Sequence, residues 1–310
     1  MSDEGAYDAG AGLRRRVWVT LAFVMLGTLI AQVAVLVLLL ASGYPISELE
    51  NGLPELAPVQ LLGTLALTQA LSYLIPGAIA AWALFKREWL RELTLVPGPG
   101  VKQIVVGVIV FAATLPFTAY LAQLNASFDL TEWQAQIEGD IASVLSDIII
   151  ETSTGQFALV LLAIAVLPAL GEELVFRGLI QPGFVRMTRS AHVGIWMTAV
   201  FFGLVHLQFA GILPRVFLGA VLGFLAFRSQ RLWLPIVAHA LFNGVQAVAA
   251  RAGLLEMVAE EGAANPTTEL LFGLGSALLA GSALHFGLPL VRPDEPTTPR
   301  KRPLEDALTD

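Results

Sequence analysis

Residues 157–180 have the sequence FALVLLAIAVLPALGEELVFRGLI, an apolar run interrupted by only three charged residues. A helix of about 20 such residues is long enough to cross the ~30 Å hydrocarbon core of a bilayer. The apolar residues are continuous rather than alternating, which is typical of a membrane helix and not of a membrane β-strand. The segment therefore predicts a transmembrane helix that holds Glu172, Glu173 and Arg177 inside the membrane.

Further apolar segments of this kind occur along the whole chain, and together they predict an all-α, polytopic membrane helical bundle of about eight transmembrane helices. The spans are predicted at 17–42, 61–85, 103–123, 157–180, 193–210, 213–227, 233–250 and 268–291. The composition agrees, because only 14% of the 310 residues are charged, against about 25% in average soluble chains. This composition excludes an ordinary soluble enzyme and a nucleic-acid partner. The absence of cysteine excludes disulfides, thiolate metal sites and a cysteine nucleophile.

Lysine and arginine predict the orientation of the bundle. With the N-terminus in the cytoplasm, 15 of the 18 basic residues fall at the inner ends of the spans, in agreement with the positive-inside rule. The exceptions are Arg177 within a span and Arg215 and Arg251 at outer ends. We therefore predict an integral, multi-pass membrane protein in contact with lipids, with both termini cytoplasmic and largely disordered.

The pattern of charge and hydropathy divides the chain into five segments. They are a cytoplasmic N-terminal segment (1–16), N-terminal helices with an interfacial helix (17–150), a core that contains the charged spans (151–250), a loop with the last helix (251–292) and a disordered cytoplasmic tail (293–310). Within 129–150, apolar residues recur at helical spacing among acidic ones, which indicates an amphipathic helix. Two placements of this helix stay open, at the outer membrane interface or packed on other outer loops.

Three groups of polar side chains lie at membrane depth, where each ionisable residue costs about 2.5–3.5 kcal/mol and marks a candidate functional site. They occur in GEELVFRG (171–178), FGLVH (202–206) and HALFN (239–243). Residues four apart share a helix face, so Glu173 can pair with Arg177. Glu172 is rotated by about 100° from its neighbour and has no cation on its own helix. Pro168, four residues before Glu172, predicts a local kink in the helix.

Helix geometry predicts that these three groups can meet. Counted from the inner ends of their spans, Glu172, His206 and Asn243 lie about 18–21 Å into the membrane, at 1.5 Å per residue. A buried layer with a carboxylate and imidazoles is suited to general acid–base chemistry. The same residues are also suited to a proton relay in a proton- or ion-coupled transporter, and this alternative stays open.

The motifs E-E-x-x-x-R, F-x-x-x-H and H-x-x-x-N, in this order on separate spans, resemble the CPBP family of intramembrane proteases. The matching sequences are LPALGEELVFRGLIQPGF (167–184), FFGLVHL (201–207) and GAVLGFLAFRSQRLWLPIVAHALFNGV (219–245). The family includes type II CAAX prenyl endopeptidases and bacterial immunity and lysostaphin-resistance proteins. The resemblance implies that 151–250 is the catalytic core of a membrane peptidase. Its substrate would be a peptide or protein, with or without a lipid modification.

The resemblance also implies a role for each matching residue. Glu172 corresponds to the catalytic glutamate that activates water, and His206 to its partner, which orients that water or serves as a ligand. Glu173 and Arg177 match supporting positions. Two further positions, assigned to metal ligation or to stabilising the oxyanion, are matched by His239 and Asn243.

The cofactor stays open at this point. Glu172, His206 and His239 form a two-histidine, one-carboxylate set like that of known zinc hydrolases. A divalent metal such as zinc is therefore one alternative, and a metal-free mechanism is the other. The fold is also compatible with a non-catalytic scaffold or immunity protein.

Overall fold

The structure, a computed structural model, describes residues 3–43, 57–96, 98–254 and 266–288. Within these ranges the chain forms nine long helices and no β-strand. The helices are α1 (Asp3–Ala41), α2 (58–85), α3 (Val101–Ala126), α4 (Glu132–Glu151), α5 (Thr154–Thr188), α6 (Ala191–Val205), α7 (Ile212–Ser229), α8 (Trp233–Arg251) and α9 (Pro266–Gly287). A short turn of 3-10 and α-helix, residues 86–92, follows α2.

The predicted helical membrane bundle is confirmed. Among the described helices, seven are long and apolar enough to cross a membrane, namely α1, α2, α3, α5, α7, α8 and α9. Helix α6 is also apolar but has only 15 residues. Counting α6, the structure contains the eight apolar helices expected from the sequence. The protein is therefore an integral, multi-pass membrane protein.

The fifth predicted span, 193–210, is wrong at its outer end. Helix α6 ends at Val205, and His206 is its C-cap residue rather than part of the helix. Leu207 then has a φ of 51°, a left-handed conformation that residues with a side chain rarely adopt. A 3-10 turn, Phe209–Gly211, leads into α7. Apolar composition continues through this loop, which is why hydropathy did not reveal the helix end.

The N-terminal segment also differs from the prediction. Helix α1 begins at Asp3, so residues 3–16 are helical and not disordered. The predicted disordered tail, 293–310, lies outside the described residues, as does part of the loop predicted before the last helix. The division of the chain into five segments stays a prediction.

Three π-helical segments interrupt α2 and α5, and each ends two residues before a proline. The pairs are Ala70–Leu74 with Pro76, Leu162–Val166 with Pro168, and Leu174–Ile180 with Pro182. A proline has no N–H, and its ring clashes with the carbonyl four residues earlier. A wider, i→i+5 turn before the proline relieves that clash. The kink predicted at Pro168 thus takes the form of a π segment, and α5 continues to Thr188 instead of ending near 180.

Basic residues at the predicted inner ends of the spans contact neighbouring helices. Arg16 in α1 lies over the ring of Phe85 at the end of α2, 5.1 Å from its centroid. Arg228 near the end of α7 donates from Nε to the carbonyl of Leu288, just after α9, at 2.7 Å. Each contact joins two span ends that the positive-inside rule assigns to the cytoplasm. The orientation itself stays a prediction.

The amphipathic helix α4 lies at the opposite end of the bundle, between α3 and α5 in the chain. Its residues Ile148 and Ile149 are buried in one cluster with Leu62 of α2, Val160 of α5 and Ala247 of α8. These contacts are made to spanning helices, so the two placements left open by the sequence, at the outer membrane interface or on other outer loops, both stay predictions.

Candidate active site

Close approach of two helices places the charged residues of α5 in the centre of the bundle. A Cβ added at Gly171 would lie 2.9 Å from the backbone nitrogen of Leu74 in α2, so only a glycine fits here. On the turns that follow, Glu172, Glu173 and Arg177 are 4%, 0% and 3% exposed. Charged groups persist at such depth only when partners compensate for the lost solvation.

Glu173 joins an ion pair and a histidine. Its Oε1 accepts hydrogen bonds from Nη1 of Arg177 at 2.7 Å and from Nδ1 of His239 in α8 at 2.8 Å. Arg177 also donates from Nη2 to the carbonyl of Gly219 in α7 at 2.9 Å. The guanidinium lies over the ring of Phe202 in α6, 4.6 Å from its centroid. This buried pair therefore links α5 to three other helices.

Gln181, one turn further along α5, donates to a glycine carbonyl of α7 as Arg177 does. It is 4% exposed and donates from Nε2 to the carbonyl of Gly223 at 3.0 Å. A Cβ added at Gly223 would lie 2.7 Å from Oε1 of Gln181 and 2.8 Å from Cγ2 of Ile195 in α6. Sequence reasoning missed Gln181, although its position four residues after Arg177 places it on the same helix face.

Glu172 faces both histidines of the motifs. Its Oε2 lies 3.7 Å from Nε2 of His206 and 4.0 Å from Nε2 of His239, and has no hydrogen-bond partner in the described part of the chain. The Nδ1 of His206 donates to the carbonyl of Phe202 at 2.7 Å, and that of His239 donates to Glu173. Because Nδ1 is committed in each ring, both histidines direct Nε2 towards Glu172.

Asn243 lies on the same helix as His239 but bonds a different part of α5. Its Nδ2 donates to the carbonyl of Ile164 in α5 at 3.2 Å, and no hydrogen bond links it to Glu172 or to a histidine within the described residues. Pro168 lacks the N–H that an α-helix would direct to the carbonyl of Ile164. Asn243 therefore donates to a carbonyl that cannot accept the usual α-helical N–H, because that N–H is absent in Pro168.

The predicted metal ligands do not have the arrangement of a metal site. Within the ranges that the structure describes, no group of three or more His, Asp or Glu side chains is placed so that it could hold a metal ion. The alternative of a zinc-dependent metalloprotease is therefore not supported by the geometry.

A large apolar groove on the surface is separate from this group of residues. It runs along α5 and α6 and is lined by side chains such as Phe184, Trp196 and Leu204. None of the six residues predicted from the motifs lines it. The residues around Glu172, rather than this groove, are the candidate active site.

Fold and site together define a multi-pass helical membrane protein with a buried glutamate that faces two histidines. Residues 154–245 match the Rce1-like family, described as type II CAAX prenyl endopeptidase Rce1-like. The "Putative membrane peptidase YdiL" of Bacillus subtilis (strain 168) is 33% identical over 72 residues, which are 23% of this chain and 29% of that protein. The chain thus matches less than a third of that relative's length. No solved structure matches the chain significantly. The resemblance to CPBP family proteases is confirmed, for the segment that contains all three motifs.

Proposed function

We propose that this protein is an intramembrane endopeptidase of the CAAX type, which hydrolyses peptide bonds of membrane-associated substrates with a water activated by Glu172. The observation that carries the proposal is the position of Glu172, whose unpartnered Oε2 lies 3.7 and 4.0 Å from the Nε2 atoms of two histidines. The family match over 154–245 supports peptidase activity. Lipidated peptides and proteins are the proposed substrate class.

In the proposed mechanism Glu172 is the general base. A water beside Oε2 gives a proton to the carboxylate while its oxygen bonds to the scissile carbonyl carbon. The C–N bond then breaks, and the proton passes from Glu172 to the leaving amide nitrogen. His206 orients the water through Nε2. The proposed donors to the developing oxyanion are His239, which Glu173 holds in place, and the remaining N–H of Asn243, each contributing about 2.7–4 kcal/mol.

The test compares membranes that contain the wild type, Glu172→Gln or Glu88→Gln by mass spectrometry of released peptides. Glutamine keeps the size of Glu172 but cannot accept the proton, so the peptides released by the wild type should disappear. Glu88 is an exposed partner of Arg91 and serves as the control, which should release the same peptides as the wild type. Unchanged release by Glu172→Gln would contradict the proposal.

Two further measurements extend this test. The mechanism uses groups of the chain itself, so release should persist in EDTA; loss in EDTA and recovery with zinc would contradict it. Substrate-dependent proton flux in proteoliposomes, without any proteolysis, would instead indicate a transporter.

A further inference from the structure

His206 lies where a helix passes into a loop. Residues 206–211, here called the histidine loop, connect α6 to α7. The loop begins at the C-cap of α6, passes through the left-handed residue Leu207 and ends in the 3-10 turn Phe209–Gly211. The hydrogen bond from Nδ1 of His206 to the carbonyl of Phe202 ties the ring to the end of α6, and contacts from other helices hold the loop that follows it.

Asn125, in the last turn of α3, makes the most complete of these contacts. Its side chain is almost fully buried, with 2% of the residue exposed. Nδ2 donates to the carbonyl of Phe209 at 2.8 Å, and Oδ1 accepts from the backbone N–H of Leu213 at 2.9 Å. Leu213 lies in the first turn of α7, where N–H groups lack partners within the helix. One amide thereby joins the histidine loop to the start of α7.

Two other helices hold the loop as well. Oε1 of Glu138 in α4 accepts from the backbone N–H of Ala210 at 2.9 Å. Arg215 in α7 donates from Nη1 to the carbonyl of Gln208 at 3.0 Å and from Nη2 to the Gln208 side chain. Arg215 is one of the basic residues that departs from the positive-inside pattern, and these contacts give it a structural reason to lie at the outer end.

We propose that Asn125 is a positioning residue for the reaction, and that Glu138 of α4 assists it. Asn125 holds the histidine loop so that Nε2 of His206 stays opposite Glu172. This inference rests on the proposed function, in which His206 orients the attacking water. A displacement of about 1 Å of such a group can lower the rate about 100-fold.

The test uses full-length protein in lipid nanodiscs and starts with hydrogen exchange. Asn125→Leu keeps a similar volume and removes both hydrogen bonds. Gln123→Leu is the matched control, because Gln123 is an exposed amide on the same helix whose side chain bonds Glu269 rather than the loop. We expect faster exchange of the peptide that covers 206–213 in Asn125→Leu and unchanged exchange in Gln123→Leu. Unchanged exchange in both variants would overturn the proposal.

The second measurement is the rate of peptide release. Asn125→Leu should lower kcat about 10- to 100-fold with KM unchanged, whereas Gln123→Leu should not change kcat. Glu138→Ala should lower kcat, and Glu138→Gln, which keeps an oxygen acceptor for the N–H of Ala210, should restore most of it. Faster loop exchange without any change in kcat would show that Asn125 only stabilises the fold and would overturn the proposal.

A replacement variant and the wild-type activity distinguish failure of this proposal from failure of the fold or of the proposed function. If Asn125→Leu does not fold, Asn125→Asp replaces it, because aspartate keeps the acceptor for Leu213 and loses the donor to Phe209. If the wild type releases no peptide, the peptidase proposal fails, and with it the positioning role. The exchange data would then still establish or reject the contact of Asn125 with the loop.

Discussion

Glu172 and Glu173 are neighbours in the chain but have different surroundings. Oε1 of Glu173 accepts hydrogen bonds from Arg177 and His239, although its Oε2 has no partner in the described part of the chain. Oε2 of Glu172 also has no partner there, and it lies 3.7 and 4.0 Å from two imidazoles. A buried carboxylate with two charge-compensating donors suits a structural role. A buried carboxylate that faces two imidazoles without a hydrogen bond suits a reactive one.

The ion pair leads to a prediction about stability. Arg177→Met should destabilise the fold by about 3–5 kcal/mol, because removing one partner leaves the buried carboxylate of Glu173 without its cation. Thermal unfolding in detergent would measure the loss. Arg91→Met is the control, since Arg91 and Glu88 form an exposed pair, worth about 0–1 kcal/mol. An equal loss in both variants would contradict the prediction, and adding Glu173→Gln to Arg177→Met should recover part of the stability.

Part of the site could be predicted from the residues alone. The pairing of Glu173 with Arg177 follows from their spacing on one helix, which is local geometry. The bond of His239 to Glu173 could not be predicted, because it depends on how α8 is rotated against α5. The same holds for Asn243, which shares a helix face with His239 but bonds the carbonyl of Ile164. Hydrophobic periodicity does not determine such rotations between helices that are apolar on most sides.

At the scale of helices, the π segments determine which way the site residues point. Leu162–Val166 and Leu174–Ile180 lie on either side of Glu172 and Glu173. A π segment changes the rotation of everything that follows it along the helix. The side chains of α5 before, within and after the site therefore do not follow one continuous 3.6-residue pattern.

This geometry predicts the effect of replacing Pro168. Pro168→Ala restores an N–H that can reach the carbonyl of Ile164, in competition with Asn243, and favours a regular α-helical turn. We expect the release of peptides to fall strongly while helical content by circular dichroism stays unchanged. Pro116→Ala in α3 is the control, because Pro116 lies inside a helix without an assigned π segment. Full activity of Pro168→Ala would contradict a role of the π segment in directing Glu172.

The helices, like the site, could be predicted from the sequence only where local properties determine them. Seven of the eight spans could be located from apolar runs, because length and hydropathy are properties of the segment itself. The end of α6 could not be located, because Leu207 and Phe209 extend the apolar run beyond the helix. The loop that follows is held by Asn125 and Glu138, which are distant in sequence and carry no local signal.

At the scale of the whole molecule, the two ends of the bundle differ in charge. Basic residues lie at one end, and α4 with its acidic side chains lies at the other. The positive-inside rule then predicts that α4 and the histidine loop lie on the non-cytoplasmic side.

The natural absence of cysteine makes this orientation testable with single cysteines. In intact cells, a membrane-impermeant maleimide should label Glu132→Cys in α4 and leave Glu88→Cys unlabelled. After the cells are lysed, both variants should be labelled, which controls for accessibility. Labelling of Glu88→Cys alone in intact cells would reverse the predicted orientation.

The short helix α6 has a consequence for the surrounding lipid. Fifteen residues extend about 22 Å at 1.5 Å per residue, which is less than the ~30 Å hydrocarbon core. A hydrophobic mismatch of this kind is accommodated by local thinning of the bilayer. The thinned region would adjoin the helix end that bears His206, and it would shorten the path of water to Glu172.

Acyl-chain length should therefore affect the proposed activity. In vesicles of short-chain phosphatidylcholine, peptide release should be faster than in vesicles of long-chain phosphatidylcholine, at equal protein content and equal fluidity. Equal rates in both would show that mismatch at α6 does not limit the supply of water. If the rates differ as expected, the membrane around α6 acts as part of the catalytic environment, and membranes of different thickness would set different rates for the same protein.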